Sequence, residues 1–273
     1  MRIPPRVVFT VTTVLLAASC VVPENAVPNT TLGVDLASKY VHRGMVQSEN
    51  GVLQTTGIIA LPAKRDGTII ARVWANQDLS NDTGDAWMPD GHAGKFSQID
   101  FNLLYEQRFD SATVTAGFVN YNLPNGLEFP FGERGATSEF LVEGRYQLSK
   151  SFLSLIPLLA IHYDYDEVEG IYIEAGLGHE YQFNEKAVLR TDFGLAWMDG
   201  EQAWWNYGVS DRSSGLADLT LRGAFEYTLQ SNTIASVFAA YSRVMDSAYR
   251  DWFDFIEIDP DQFYVGLGVR WEY

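Results

Sequence analysis

The chain has 273 residues, with 19 Lys and Arg against 35 Asp and Glu and a formal net charge of −16. So acidic a chain is unsuited to gripping nucleic acid through its phosphates, and its length suits one large domain. Its hydrophobic content of 47% is ordinary, and beyond the N-terminal stretch no segment reaches the roughly 18 consecutive apolar residues of a membrane helix. Alternating barrel strands would leave hydropathy just as average, so a membrane β-barrel stays open.

Arg2 and Arg6 make a basic start, Val7 to Ala18 is a short apolar run, and Ala17, Ala18 and Ser19 are small. This is the make-up of a cleaved export signal over residues 1–19. Leu16-Ala17-Ala18-Ser19-Cys20 resembles a lipoprotein processing site, at which the Cys20 thiol is acylated and becomes the mature N-terminus. Ordinary cleavage nearby, with Cys20 incidental, is the alternative. A lone cysteine excludes an internal disulfide. Residues 20–30, with Pro23 and Pro28, read as a tether ahead of a domain spanning 31–273.

That domain divides into about twelve alternating segments of about ten residues, the length of tilted spanning strands. The first runs over Thr31–Val41, with Leu32, Val34, Leu36 and Tyr40 on one face. Val52–Leu61, Thr68–Leu79 and Phe96–Phe109 follow. The fifth, Ala112–Leu123, has the weakest pattern, and Val119 and Tyr121 are assigned outward. Ser138–Leu148 and Leu153–Tyr165 come next, the latter carrying Pro157, which is an irregularity in a strand. Then come Ile171–Phe183, Ala187–Met198, Leu216–Leu229, Thr233–Val244 and finally Phe263–Tyr273.

Connections after even strands are short, and those after odd strands are mostly long. This parity, with an even strand count, is the pattern of outer-membrane barrels. The closing segment sets Phe263, Val265, Leu267, Val269, Trp271 and Tyr273 against Tyr264, Gly266, Gly268, Arg270 and Glu272. An apolar strand of this kind needs a partner at its edge, and the first strand supplies it. Its terminal aromatic resembles the signal by which the barrel-assembly machinery reads its clients. Aromatics gather at strand ends on the apolar face, where amphipathic rings favour a membrane interface. Tyr40, Tyr121, Tyr163, Trp197 and Tyr241 fall on the long-loop side, and Tyr105, Tyr146, Tyr181, Tyr227, Trp271 and Tyr273 on the short-turn side. The expected fold is an all-β, up-and-down antiparallel transmembrane barrel of about twelve strands, in the outer membrane of a Gram-negative bacterium with lipid around it.

Ser38-Lys39-Tyr40-Val41-His42-Arg43-Gly44, with Gln47 after it and Leu53-Gln54 opening the next strand, resembles the start of the TorF-family porins. Those begin with a strand ending Ser-x-Tyr-Val-x-Arg-Gly and continue as a barrel over the whole mature chain. The resemblance covers residues 31–273 and implies an outer-membrane pore without a well-defined solute.

The faces opposite the apolar ones define the interior. They carry Asp35, Lys39, Arg72, Asp100, Arg108, Glu139, Glu143, Arg145, Asp164, Glu174, Arg190, Asp218, Arg222 and Arg270 as expected lumen-lining residues. A slip of one residue would drive such charges into lipid at roughly 2–4 kcal/mol for each Arg or Lys near the midplane, so they fix the register. Glu139, Asp164, Glu174 and Asp218 lie toward the long loops with few basic partners, and an Arg/Glu belt lies toward the short turns. The pattern predicts an acidic outer vestibule and an Arg/Glu constriction, hence a channel for small cationic or neutral solutes. The alternative is a non-conducting structural or adhesive barrel filled by ion pairs. A lipid-modifying enzyme is a distant third, because His162 and Asp164 share a face without a serine in reach. The long loops, with Trp87, Trp204, Trp205, Tyr207, Asp211 and Trp252, read as solvated surface. No metal site or cofactor is expected, since no spacing matches a calcium loop.

Overall fold

The computed structural model describes residues 27–273 except 87–89, 125–127, 130–131, 134, 149–153 and 210–212, with backbone alone at 128–129 and 132–133. The export signal and Cys20 lie outside the described residues. In chain order the elements are β1 (Asn29–Ala37), β2 (Tyr40–His42), β3 (Met45–Ser48), β4 (Val52–Pro62), β5 (Gly67–Asp78), β6 (Phe96–Arg108) and β7 (Ala112–Asn122). Then come β8 (Glu128–Phe129), β9 (Gly132–Glu133), β10 (Ala136–Tyr146), β11 (Leu155–Asp164), β12 (Ile171–Gln182), β13 (Ala187–Met198) and α1 (Gly200–Tyr207). The chain finishes with β14 (Gly215–Gln230), β15 (Thr233–Val244), α2 (Ser247–Phe255) and β16 (Asp261–Glu272).

Twelve of these strands close into one antiparallel barrel, in which each strand pairs with its neighbours along the chain and β1 pairs with both β4 and β16. The seam runs from Thr31 opposite Glu272 to Ala37 opposite Gly266. It is extended by backbone bonds between Thr30 and Tyr273 of 3.0 and 2.8 Å. Closure leaves no unpaired edge, which lipid would not tolerate. Leu32, Val34 and Leu36, Ile59, Val73, Phe101, Phe140, Ile161, Val265 and Leu267 are all exposed on the outside. An apolar surface that encircles the whole molecule is stable only against lipid. Among the described residues no helix is long and apolar enough to cross a membrane; the strands cross it.

Three local departures have physical causes. In β7 Val114 and Phe118 are the exposed residues, and Val119 and Tyr121 turn inward, opposite to the expected assignment. Small and polar residues occupy both faces of that strand, so its own pattern cannot choose. The neighbour chooses, because Phe118 stacks edge-on against Phe140 of β10 at 5.5 Å. In β11 the ladder to β10 stops at Leu158, one residue after Pro157, which has no N–H to donate. The first strand ends at Ala37 rather than Val41, and the chain then turns into the barrel.

Both helices, and the β2–β3 hairpin, belong to the long-loop end. Asp199 caps α1 by accepting from Gln202 N at 3.0 Å, and Gly208 ends it in a left-handed conformation. Asp246 caps α2 through Ala248 N at 2.9 Å. The two long connections expected to be solvated surface therefore fold: Tyr207, Tyr249 and Phe253 are fully buried, with ring centroids 5.1 to 5.3 Å apart. Trp252 Nε1 donates to Tyr207 O at 2.7 Å and ties the helices together.

Candidate functional site

The site is the interior of the barrel, and its two ends are built differently. At the long-loop end β2 and β3 form a hairpin that enters the lumen. Its two-residue turn is Arg43-Gly44, with φ of 48° and 81°, as the favoured hairpin turns require. Gly44 is needed for space as well: a Cβ there would stand 2.8 Å from Asp218 Cβ and from the Tyr207 hydroxyl. That hydroxyl donates to Arg43 O at 2.8 Å, so α1 pins the turn from above.

Arg43 reaches from the tip to the wall. Its two terminal nitrogens each donate to one oxygen of Glu139 at 2.7 Å, and Nη1 also donates to Gln202 at 3.0 Å. The guanidinium lies 4.3 Å from the Tyr172 ring centroid and 5.7 Å from that of Tyr121. Glu139 accepts further from the Tyr121 hydroxyl at 3.0 Å and contacts His162 Nδ1 at 3.0 Å. Both charges are almost wholly buried, at 8% and 1% side-chain exposure. A buried pair of this kind holds only when nearly every polar atom is met, and here nearly every one is. Burial would lower the Arg43 pKa, but the Glu139 charge holds it above its usual value. The neighbouring His42 is pushed down to about 3, first by burial and then by the Arg43 charge.

Around this tip the plug is apolar. Met45 and Val46 of the hairpin are fully buried against Tyr172, Ala196, Met198, Ala217 and Val244 of the wall and against the helices. Tyr40 stacks on Trp74 at 5.3 Å, and its hydroxyl donates to Gln98 at 2.7 Å. Tyr40 and Tyr121 are thus lumen residues, correcting their expected place at the lipid interface. Lys39 lies where the hairpin departs from the wall, and its Nζ donates to Glu49 at 2.9 Å and Gln262 at 2.8 Å.

The upper acidic residues do not form an open vestibule. Besides Glu139, Asp164 is fully buried and accepts from the Thr137 hydroxyl and from Asp166 N and Val168 N, closing the β11–β12 turn. Asp218 accepts from the Tyr172 hydroxyl at 3.0 Å and Thr220 at 3.1 Å. A cavity of about 310 Å³ survives beneath the hairpin, bordered by His42, Arg43, His162, Tyr172, Glu174 and Tyr264.

Toward the short turns the interior is charged and solvent-accessible. Arg108 pairs with Glu106 at 2.9 Å, and Arg145 with Glu143 at 2.7 Å. Arg190 bridges Glu180 and Glu226, and Arg270 joins Glu226 at 3.4 Å to Glu272 at 2.9 Å. Asp35 faces the same space, packed against Gly268 of β16. Asp100 accepts from Gln98 at 2.8 Å, nearer the hairpin. Arg72 and Asn102, paired across β5 and β6, each keep a buried polar atom without a hydrogen-bond partner among the described residues. A second cavity, of about 420 Å³, opens on the β10–β14 wall and includes Arg145, Glu174, Arg190, Asp192 and Arg222.

On the outer face Tyr105, Tyr146, Tyr163, Tyr227 and Tyr273 are exposed. Tyr181, Trp197, Tyr241 and Trp271 are partly covered on that face, Tyr181 by Phe183 at 4.8 Å and Tyr241 by a hydrogen bond to Asp261. Sequence reasoning missed Arg43 and Gln202 as site residues. The Arg-Gly pair, suited to a tight turn, was the available signal for the first.

The chain matches no known family profile and no curated protein. Among solved structures it is similar to the NanC porin, with 9% identity, a TM-score of 0.52 and coverage of 88% of this chain and 98% of that one. The KdgM porin gives 9% identity, a TM-score of 0.47 and coverage of 90% and 99%. The translocator domain of the autotransporter NalP from Neisseria meningitidis gives 10%, 0.45, and 97% and 95%. At such identity the likeness is one of fold alone. With its lipid-facing belt and closed strand order, the chain is a twelve-stranded β-barrel of the outer membrane of Gram-negative bacteria.

Proposed function

We propose that this protein is a porin-like channel for small cationic or neutral solutes, closed at its outer mouth by the β2–β3 hairpin in the conformation described. One observation carries the reading. Arg145, Arg190, Asp192 and Arg222 point into the barrel yet are exposed, so the lower lumen is open to solvent. A barrel filled only by interior ion pairs would bury them. Twelve strands lie between side-chain-filled and water-filled sizes, which suits a narrow bore. The hairpin that closes it contains most of the Ser38–Gly44 stretch and Gln47, on which, with Leu53-Gln54, the likeness to TorF-family porins rests, and membership of that family forms part of the proposal.

The apolar plug favours a second reading, a non-conducting structural barrel. Planar-bilayer recording of the intact chain beside a variant with residues 38–51 replaced by a short Gly-Ser turn separates the two. Ala37 and Val52 are already opposite one another, so the wall can close without the hairpin. The channel reading expects small steps from the first and larger, cation-preferring steps from the second. Silence from both leaves the structural barrel.

The remaining parts of the proposal concern delivery. Residues 1–19 act as export signal, residues 20–30 as tether, and the β16 end as the contact for the assembly machinery. Cys20 carries the acyl chain, so Cys20→Ser should lower the mature mass by that modification; an unchanged lipid mass would rule it out.

A further inference from the structure

Most ionisable side chains of the interior are spent on one another, but three that face one hollow are not. Among the described residues Glu174, Asp192 and Arg222 have no hydrogen-bond or ion-pair partner; the Arg222 Cζ lies 4.7 Å from the Phe238 ring centroid, and its charge is within reach of Asp35 and Tyr264. Asp192 and Arg222 are directly opposite across the β13–β14 ladder, a position in which opposite charges ordinarily meet. They lean apart instead. Asp192 tilts toward β12, where its Oδ1 would be 3.3 Å from a Cβ on Gly178, and Arg222 tilts toward β15 to reach Phe238. Glu174 leans the other way, from β12 over β13, where its Oε1 would be 2.8 Å from a Cβ on Gly194. Gly176 and Gly194 are themselves a cross-strand pair. The result is a glycine floor edged by the Leu158 side chain at Gly176, with the Glu174 carboxylate over Gly194, Asp192 on the other side and the Arg222 guanidinium beyond. Arg145 and Arg190 border the same cavity; Glu143, Glu180 and Glu226 hold them in ion pairs, and the Arg145 charge also reaches Asp192 and Glu174 without an ion-pair contact.

We infer that this hollow is a binding station for a small zwitterionic solute, taking an ammonium between Glu174 and Asp192 over the Gly176–Gly194 floor and a carboxylate on Arg222. The inference rests on the lumen being a solute path. Because Asp192 and Arg222 lean apart although the register sets them opposite, they do not pair with each other, and a ligand carrying both signs gains from all three groups. Glu174 also borders the upper cavity, which places the station where the open half of the lumen meets the plugged half.

Titration calorimetry on the purified full-length barrel in detergent, with L-alanine, alaninamide and propionate as probes, tests the station. L-alanine should bind most tightly. Glu174→Gln should weaken L-alanine and alaninamide by about tenfold, and Arg222→Met should weaken L-alanine and propionate by about tenfold, as expected for one lost charge-assisted contact each. Gly194→Ala, which crowds the Glu174 carboxylate without altering charge, should reproduce the Glu174→Gln effect in a barrel that still shows heat-modifiable mobility. Alaninamide binding as tightly as L-alanine, with Arg222→Met silent, would reduce the station to a plain cation site and overturn the zwitterion. Absence of L-alanine binding to the intact barrel overturns the station altogether. Conductance in potassium chloride is recorded on the same samples. Steps without alanine binding leave the channel standing and sink the station, whereas alanine binding without steps does the reverse.

Discussion

The two ends of the lumen carry similar residue types and treat them in opposite ways. At the long-loop end, Arg43 and Glu139 are buried and bonded on nearly every atom, and they join parts of the chain 96 residues apart. At the short-turn end, Arg108, Arg145 and Arg190 keep 44 to 69% of their side chains exposed and pair mostly with neighbours on the same or the next strand. A charge in the first setting is structural, since losing its partner strands the other in a low-dielectric site. A charge in the second is already hydrated, and its pairing adds little. Wall strands alone create the second setting. The first needs an element brought in from a loop.

The largest effect expected from this contrast is at Glu139. Glu139→Ala leaves Arg43 buried and uncompensated, and should destabilise the docked hairpin by about 3–5 kcal/mol. In bilayers the variant should conduct like the hairpin-deleted barrel. A conductance identical to that of the intact chain would show that the pair does not hold the plug. The double variant Arg43→Met, Glu139→Leu sharpens the point. Filling the same space without charge, it should restore the closed state, read as a return of the small steps.

Acidification comes next. His42 takes its proton near pH 3 when docked and near 6.5 when free in water. The undocked hairpin therefore binds more protons between those values, and docking weakens as pH falls through 6.5 toward 3. The loss is about 1.4 kcal/mol per pH unit, or about 2 kcal/mol at pH 5. His42 is surrounded by Arg43, Glu139 and His162, and the first of these adds to the penalty of a second positive charge. Open probability should rise between pH 7 and pH 5, and His42→Gln should flatten that rise.

Gly44→Ala asks a residue with a Cβ to adopt φ of 81° against Asp218 and Tyr207. A cost of about 1–3 kcal/mol is expected, visible as faster proteolytic cleavage within residues 38–51. The smallest effect belongs to the wet end. Arg190→Ala should change stability toward guanidinium by less than about 1 kcal/mol, and any change should vanish in molar salt. A loss as large as that of Glu139→Ala would collapse the distinction between the two ends.

The wall of this barrel could be read from the chain. Its strands repeat every two residues, with Leu32, Val34 and Leu36 or Phe263, Val265 and Leu267 outward, and the alternation is local, so each strand announces its own faces. Strand β7 shows the limit, because with small polar residues on both faces only the ring of Phe140 on the next strand decides that Phe118 faces out. Parity and the β1–β16 closure followed from counting. The contents of the lumen did not. Tyr40 continues the alternation of β1 as though the strand went on, and nothing near Arg43 in the sequence names Glu139 as its partner. The caps Asp199, Gly208 and Asp246 are legible signs of short helices, but which surface those helices cover is not. Alternation determined the barrel because burial in a sheet is set by neighbouring residues. The plug, the buried ion pair and the hollow beside Glu174 were decided only by closure, which brings residues remote in sequence to one depth and one face.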